Sequence, residues 1–163
     1  MKVLIDAYNL FHAAKRQVEA PERLTVAALI ATLDAWTRQT RHEVLLVFDG
    51  KPPPTLHEAG ALCRRLGLQF VGPKLTADAA IIEFLTTYSA PRTLLIVSSD
   101  RQIRRAAKKR GSKMMPSDEF WTEVSRKLSR RRPPREPMEK RRGLAGDQSI
   151  DDWIREFGLD EQP

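Results

Sequence analysis

The sequence has little cysteine and histidine, the residues that build disulfide frameworks and zinc sites. It contains one cysteine and three histidines in 163 residues. A single thiol excludes a disulfide framework, and no Cys/His cluster has zinc-ligand spacing, so we expect a reducing, cytoplasmic setting. A chain of this length can bury a core without disulfides or a structural metal.

Long apolar runs and phosphate-binding glycine motifs are also missing. No stretch approaches the roughly 20 apolar residues that a transmembrane helix needs. The first residues do not resemble a signal peptide, so we expect no membrane association. Neither G-x-G-x-x-G nor G-x-x-x-x-G-K-[ST] occurs. The phosphate cradles of dinucleotide-binding and P-loop proteins are therefore absent, and we expect no nucleotide cofactor.

Positive charge is what the sequence has in excess, and it is concentrated late in the chain. The net charge is +7. Residues 126–142 carry nine Lys/Arg and two Asp/Glu, and the remainder of the chain sums to zero. A basic stretch of this kind is typical of polyanion binding, so RNA or DNA is the expected partner. Within it we predict Arg130, Arg131 and Arg132 as sequence-independent phosphate contacts.

Short apolar runs alternate with helical patterns along most of the chain. This alternation predicts an α/β fold, a three-layer α/β/α sandwich with a central, mostly parallel sheet. We expect a folded domain at 1–129, a basic Pro-containing linker at 130–142 and a helical tail at 143–163 that docks on a domain. The predicted strands lie at 2–5, 43–48, 68–71, 93–97 and 113–115. Helices are predicted at 22–40, 58–66, 77–88 and 101–110 and from 117 onward, with a connection at 11–21.

Four aspartates occupy equivalent positions relative to this predicted sheet. Asp6, Asp49 and Asp100 follow strand ends, and Asp78 opens a helix. Because parallel strands bring their carboxyl ends to one edge, the four side chains can converge there. Each also has an ordinary structural role open to it, as a turn residue or a helix cap.

A convergent set of carboxylates has a definite chemistry. Carboxylates without basic partners repel one another and raise each other's pKa, a cost that a bound cation removes. Oxygen ligands suit Mg²⁺ or Mn²⁺ rather than zinc. An acidic metal site beside a basic surface predicts a nuclease in which the metal activates a water.

Six segments resemble the NYN-domain proteins of the PIN-like nuclease superfamily. They are VLIDAYNLFHA, VLLVFDG, LTADAAIIEFL, LLIVSSDRQIRRAAKKRG, MPSDEFW and EKRRGLAGDQSIDDWIREFG. They are most similar to the YacP-like branch, which includes a ribosome-associated mRNA endonuclease. The resemblance spans nearly the whole chain.

The resemblance implies roles for particular residues. Asp6, Asp78 and Asp100 would be the metal-binding carboxylates, and Asn9 would lie beside the site. Asp49 is a second-rank member of the catalytic set.

The helix that begins at Arg101 is crowded with basic residues and adjoins the proposed site. A charged outer face is the ordinary interpretation of such a run. As a hypothesis, Arg101 and Arg104 contact RNA phosphates, with Lys74 reaching from a neighbouring loop. Tyr8 either stacks on a base or packs in the core. Asp118 is a later acid that either joins the site or starts its helix.

The sequence therefore predicts a cytoplasmic Mg²⁺- or Mn²⁺-dependent endoribonuclease, expected to be a monomer or weak dimer. The resemblance implies mRNA, including mRNA on the ribosome, as a substrate. The first alternative is an RNA- or ribosome-binding adaptor with weak or lost catalysis. The second is another phosphate enzyme, such as a phosphatase or a flap-type DNA nuclease.

Overall fold

Five parallel strands form the centre of this computed structural model, which describes residues 1–51, 64–72 and 74–129. The strands are β1 (Lys2–Asp6), β2 (Glu43–Asp49), β3 (Leu66–Val71), β4 (Leu94–Val97) and β5 (Lys113–Met115). The helices are α1 (Ala7–Lys15), α2 (Val26–Thr40), α3 (Ala77–Thr87), α4 (Arg101–Arg110) and α5 (Ser117–Ser129). The strand order is β3-β2-β1-β4-β5, and all four pairings are parallel.

Alternation of side chains along the strands produces two apolar layers, one on each face of the sheet. In β1, Val3 and Ile5 pack with the buried residues of α1, α2 and α5. Leu4 faces the other way and packs with α3 and α4. The predicted α/β/α sandwich is therefore confirmed, and the sheet is parallel throughout rather than mostly parallel.

The strand order reverses direction between β1 and β4. From β1 the chain adds β2 and β3 on one side, then crosses to add β4 and β5 on the other. Open parallel sheets hold their ligands at such a switch point, beyond the carboxyl ends of the strands. Ile5 pairs with Val97 across it, so the residues that follow these two lie at the crevice.

Two predicted elements differ from the structure. The predicted connection begins inside α1, which starts directly after β1 because the side chain of Asp6 caps its first turn. Leu66 and Gly67, predicted to end a helix, lie in β3. A Cβ on Gly67 would come within 3.1 Å of Leu45 Cδ1, so close strand packing explains this glycine better than a helix end.

Other boundaries lie within a few residues of those predicted. The long second helix begins at Val26 rather than at 22, because Thr25 is its N-cap and a 3₁₀ turn, Pro21–Arg23, precedes it. Thr76 caps α3 as predicted, and Gly111 ends α4 with a φ of 71°. None of the described helices is long and apolar enough to cross a membrane.

Several predicted features lie outside the described residues. They are the helix over 58–63, the basic linker at 130–142 and the helical tail at 143–163. Their boundaries, and the three-segment organisation, stay predictions.

Candidate metal centre

Asp6 is the last residue of β1 and the N-cap of α1, so two elements fix its carboxylate. Its Oδ1 accepts a hydrogen bond from the backbone N–H of Asn9 at 3.1 Å. Its Oδ2 accepts one from Ser98 Oγ at 3.2 Å, across the β1–β4 crevice. The residue is only 6% exposed. Burial, and next the charges of Asp78 and Asp49, raise its pKa to about 6 against the opposing hydrogen bonds.

Asp100 lies directly across the same crevice, at the start of α4. Its Oδ1 accepts from the backbone N–H groups of Gln102 and Ile103, at 2.6 and 3.1 Å. Its own N–H donates to Ser98 Oγ at 3.0 Å. Ser98 therefore joins the two aspartates, donating to one and accepting from the backbone of the other.

Asp49 and Asp78 meet at the start of α3. Asp49 ends β2, and its Oδ1 accepts from the backbone N–H of Ala77 at 2.6 Å. This bond holds the first turn of α3, and with it Asp78, against the end of the sheet. Gly50 follows with a φ of 81° and donates its N–H to the carbonyl of Val71, a left-handed conformation that favours glycine.

Asp78 interacts electrostatically with each of the other three site aspartates. Burial raises the pKa of Asp78, and the charges of Asp100 and Asp49 raise it further. The charges of Asp78 and Asp49 likewise contribute to the raised pKa of Asp6. The edge of the sheet thus gathers the aspartates that the sequence singled out.

The donor set fits a hard divalent cation. In the described ranges, no three Asp, Glu, His or Cys side chains form a preformed metal cage. Mg²⁺ does not need one, since it is usually held by one or two carboxylates, with waters and substrate phosphates completing its shell. A bound cation would also offset the burial and the like-charge repulsion that raise the pKa of Asp6 and Asp78.

Asn9 is held by two residues to which the sequence assigned no function. Its Oδ1 accepts from the N–H of Ser99 at 3.1 Å and from Ser117 Oγ at 2.7 Å. Ser117 is fully buried, and its N–H donates to Ser99 Oγ. Because Oδ1 accepts two hydrogen bonds, the orientation of the amide is fixed. The amide Nδ2 donates to no described residue. Asn9 can therefore offer its NH₂ group to a ligand.

The structure shows the surroundings of two residues whose roles the sequence left open. Asp118 forms a 2.7 Å ion pair with Arg16, so it ties α5 to the end of α1. Tyr8 is 38% exposed, and its ring contacts buried Phe48 edge-on, with 5.7 Å between centroids. It is supported by the core on one side and open to solvent on the other.

The predicted RNA contacts are only partly brought together. Arg101 and Arg104 line one cleft on α4. Lys74 lies in the turn before α3 and is exposed, but it does not line that cleft. Arg130, Arg131 and Arg132 lie outside the described residues.

Comparison with known proteins identifies the family. A sequence model of the YacP-like NYN domain matches residues 3–156. The chain belongs to the YacP-like NYN domain family. A search of curated proteins found no match.

Two crystal structures of Rae1 (YacP) from Bacillus subtilis have a similar fold. The W164L mutant is 20% identical with a TM-score of 0.56, over 82% of this chain and 86% of that one. The other is 18% identical with a TM-score of 0.59, over 98% of this chain and 92% of that one. At these identities the likeness establishes the fold alone. Membership in the family makes this NYN domain nuclease-like, and domains of this type generally use divalent metals.

Proposed function

We propose that this NYN domain is a Mg²⁺- or Mn²⁺-dependent endoribonuclease. The observation that carries the proposal is the convergence of Asp6, Asp49, Asp78 and Asp100 at the carboxyl edge of the sheet, where burial and neighbouring carboxylates raise the pKa of Asp6 and of Asp78. Asp6, Asp49 and Asp100 also accept hydrogen bonds from backbone N–H groups in the first turns of helices. Those bonds leave burial and like charge raising the pKa of Asp6 and Asp78, and a bound cation would offset that cost.

The residues have separate roles in this proposal. Asp6, Asp78 and Asp100 hold the metal, while Asp49 fixes α3 and adds negative charge. A bound Mg²⁺ or Mn²⁺ would lower the pKa of the water that attacks phosphorus and neutralise charge on the leaving oxygen. Asn9, fixed through its Oδ1, donates from Nδ2 to a phosphate oxygen and orients the RNA backbone.

RNA cleavage by the purified full chain tests the proposal. Labelled single-stranded RNA is incubated with Mg²⁺ or Mn²⁺, with EDTA, and with an Asp100→Asn variant. Asn is also a good N-cap, so α4 should stay folded in the variant. We expect cleavage only with metal, and a loss of roughly 100-fold or more in Asp100→Asn.

A matched control removes one acid elsewhere. Glu119→Gln changes an exposed residue of α5 and should cleave like the wild type. Cleavage that persists in EDTA and in Asp100→Asn would contradict the proposed mechanism. The same reactions on mRNA bound to ribosomes extend the test to the substrate implied by the family resemblance.

One observation favours a second candidate, an RNA- or ribosome-binding adaptor without catalysis. The described residues contain no preformed three-ligand metal cage. An adaptor would bind RNA equally well with and without divalent metal, and its affinity would be unchanged in Asp100→Asn. A nuclease would bind scissile RNA more tightly when the metal is present.

The proposed setting is the cytoplasm, with the chain acting as a monomer or weak dimer. We propose a nuclease domain at 1–129, a basic linker at 130–142 and a helical tail at 143–163. The family match continues to residue 156, which supports the last two segments as regular parts of the family's chain. Arg130, Arg131 and Arg132 would add affinity for RNA of any sequence.

A further inference from the structure

The charge of this chain is distributed differently from what the total suggests. Residues 1–125 contain 18 basic and 13 acidic side chains, a net charge of +5, and residues 143–163 contain one and six, a net charge of −5. These two values cancel in the sum, so the positive charge is not confined to residues 126–142. The folded domain has a basic surface of its own.

Much of that surface is α4. Six of its ten residues are Lys or Arg, and none is acidic. Ile103 and Ala107 are buried against the sheet, so the cations are left on the outer side. The helix starts at Asp100, and its basic residues therefore lead away from the candidate metal centre.

The cations of α4 divide into two kinds. Arg110 is structural, because its guanidinium donates to the carbonyls of Leu85 and Tyr88 at 2.9 and 3.0 Å. A second group lines an open cleft of about 240 Å³ together with Met114 of β5. Its members are Arg101, Arg104, Arg105 and Lys108.

These four cleft cations lack counter-charges in the described part of the chain, where none of them forms an ion pair or a side-chain hydrogen bond. Positions one, four, five and eight of a helix share one face. At 1.5 Å per residue, the row from Arg101 to Lys108 is about 10 Å long. A row of that length matches about two or three phosphates of an extended single strand.

We propose that the cleft between α4 and β5 is the path of a single RNA strand on one side of the scissile phosphate. Arg101 lies nearest the metal centre and Lys108 farthest from it. Arg105 and Lys108 are then phosphate-binding residues, and Met114 offers an apolar contact to a base. This inference rests on the proposed function for the identity of the scissile phosphate, but binding in the cleft can be measured without cleavage.

The experiment compares two double variants of the full chain. Arg105→Gln/Lys108→Gln removes two cleft cations. The control, Lys109→Gln/Lys113→Gln, removes two exposed cations that do not line the cleft. Gln keeps a good helix propensity, so α4 should form in both variants. Binding of labelled single-stranded RNA is followed by fluorescence anisotropy in EDTA over a range of salt concentrations.

The cleft variant should bind roughly tenfold more weakly at low salt, and the slope of log affinity against log salt should shrink by about 1.4, the value for two single-strand phosphate contacts. The control should change affinity less than about twofold. For cleavage in metal, KM should rise in the cleft variant while kcat stays within about twofold, because its residues are away from the reacting atoms.

The outcomes separate this inference from the proposed function. Equal losses in the two double variants, or an unchanged salt slope in the cleft variant, would overturn the cleft assignment even if the wild type cleaves RNA. Tighter binding to duplex than to single strands would overturn it as well. A cleft-specific loss of binding by a wild type that cleaves nothing would support the cleft and count against the nuclease.

Discussion

Asp6 is the most deeply buried of the four site aspartates, and its environment opposes ionisation. At 6% exposure it has lost most of its water, and Asp78 and Asp49 add negative potential. Hydrogen bonds from Asn9 and Ser98 recover only part of that cost. A metal-free site should therefore be a local weakness of the fold near neutral pH.

The pH dependence of unfolding tests this environment. The pKa of Asp6 is about 6 in the folded chain, against 3.8 for the unfolded residue. The folded state thus binds the proton more tightly, and this stabilisation is complete below 3.8 and lost as pH rises through about 6. Between about pH 4 and 8, wild type should lose up to about 3 kcal/mol more unfolding free energy than Asp6→Asn. Urea denaturation in EDTA measures the unfolding free energy of both proteins at each pH. If the two curves of unfolding free energy against pH were parallel, this prediction would be contradicted.

Ser117 is expected to act on catalysis through Asn9. Its hydroxyl donates to Asn9 Oδ1 at 2.7 Å, so Ser117→Ala removes one of the two bonds that fix the amide. We expect kcat to fall roughly tenfold with little change in KM, since the contact to phosphate is misdirected rather than removed. Ser125→Ala, the same change farther along α5, is the control. Equal kcat values for Ser117→Ala and the control would rule out this role.

Residue roles were only partly predictable from the sequence. The aspartates could be found because each follows a strand end or opens a helix. Ser98 stands beside Asp100 in Ser98-Ser99-Asp100, and this position was its only signal. Ser117 is 108 positions from Asn9, and no local pattern links them. Such a contact exists only once β1, β4 and α5 are packed together.

At the scale of elements, the start of α3 depends on Asp49. The bond from Ala77 N–H to Asp49 Oδ1 satisfies a donor at the helix terminus. Asp49→Ala should lower the unfolding free energy by about 1 kcal/mol, whereas Asp49→Asn keeps an acceptor and should lower it much less. Urea denaturation of the two variants tests the difference.

The same pair of variants distinguishes the capping role of Asp49 from the effect of its negative charge on metal binding. Both remove one negative charge near Asp78, so both should weaken Mn²⁺ binding to a similar degree. If Asp49→Ala and Asp49→Asn were equally stable, the capping role would be wrong. If neither affected Mn²⁺ binding, Asp49 would not contribute to the metal centre.

The predicted boundary between β1 and α1 is wrong because one residue belongs to both elements. Asp6 ends β1 and caps α1, so the sequence shows no break between them. Leu10, Ala13 and Ala14 have helical spacing and form the buried face of α1, but two of them are small, so the apolar pattern is weak. Gly67 has the sequence signal of a helix end, whereas in the structure it allows β3 to approach Leu45.

At the scale of the whole molecule, sheet order explains why distant residues form one site. The chain reverses the direction in which strands are added between β1 and β4, and this opens the crevice that Asp6, Ser98 and Asp100 surround. The alternation of elements made the fold class predictable. The strand order is set by tertiary packing, so the pattern of elements along the chain does not reveal it. The position of the crevice follows from that order.

The net charge of the chain also conceals a separation of acidic and basic surfaces. The candidate site is acidic, and the cleft on the adjacent helix α4 is basic. Positive potential at the cleft attracts polyanions, and negative potential at the aspartates attracts cations. This pairing supports the proposed metal-dependent nuclease more than either surface does alone.

Calorimetric titration of the full chain with Mn²⁺ tests the central claim most directly. We predict saturable binding by wild type and by Glu119→Gln. Asp6→Asn and Asp100→Asn, which keep their helix caps, should bind at least about tenfold more weakly. Absence of Mn²⁺ binding, or equal binding by wild type and both Asn variants, would contradict a metal centre at the β1–β4 crevice.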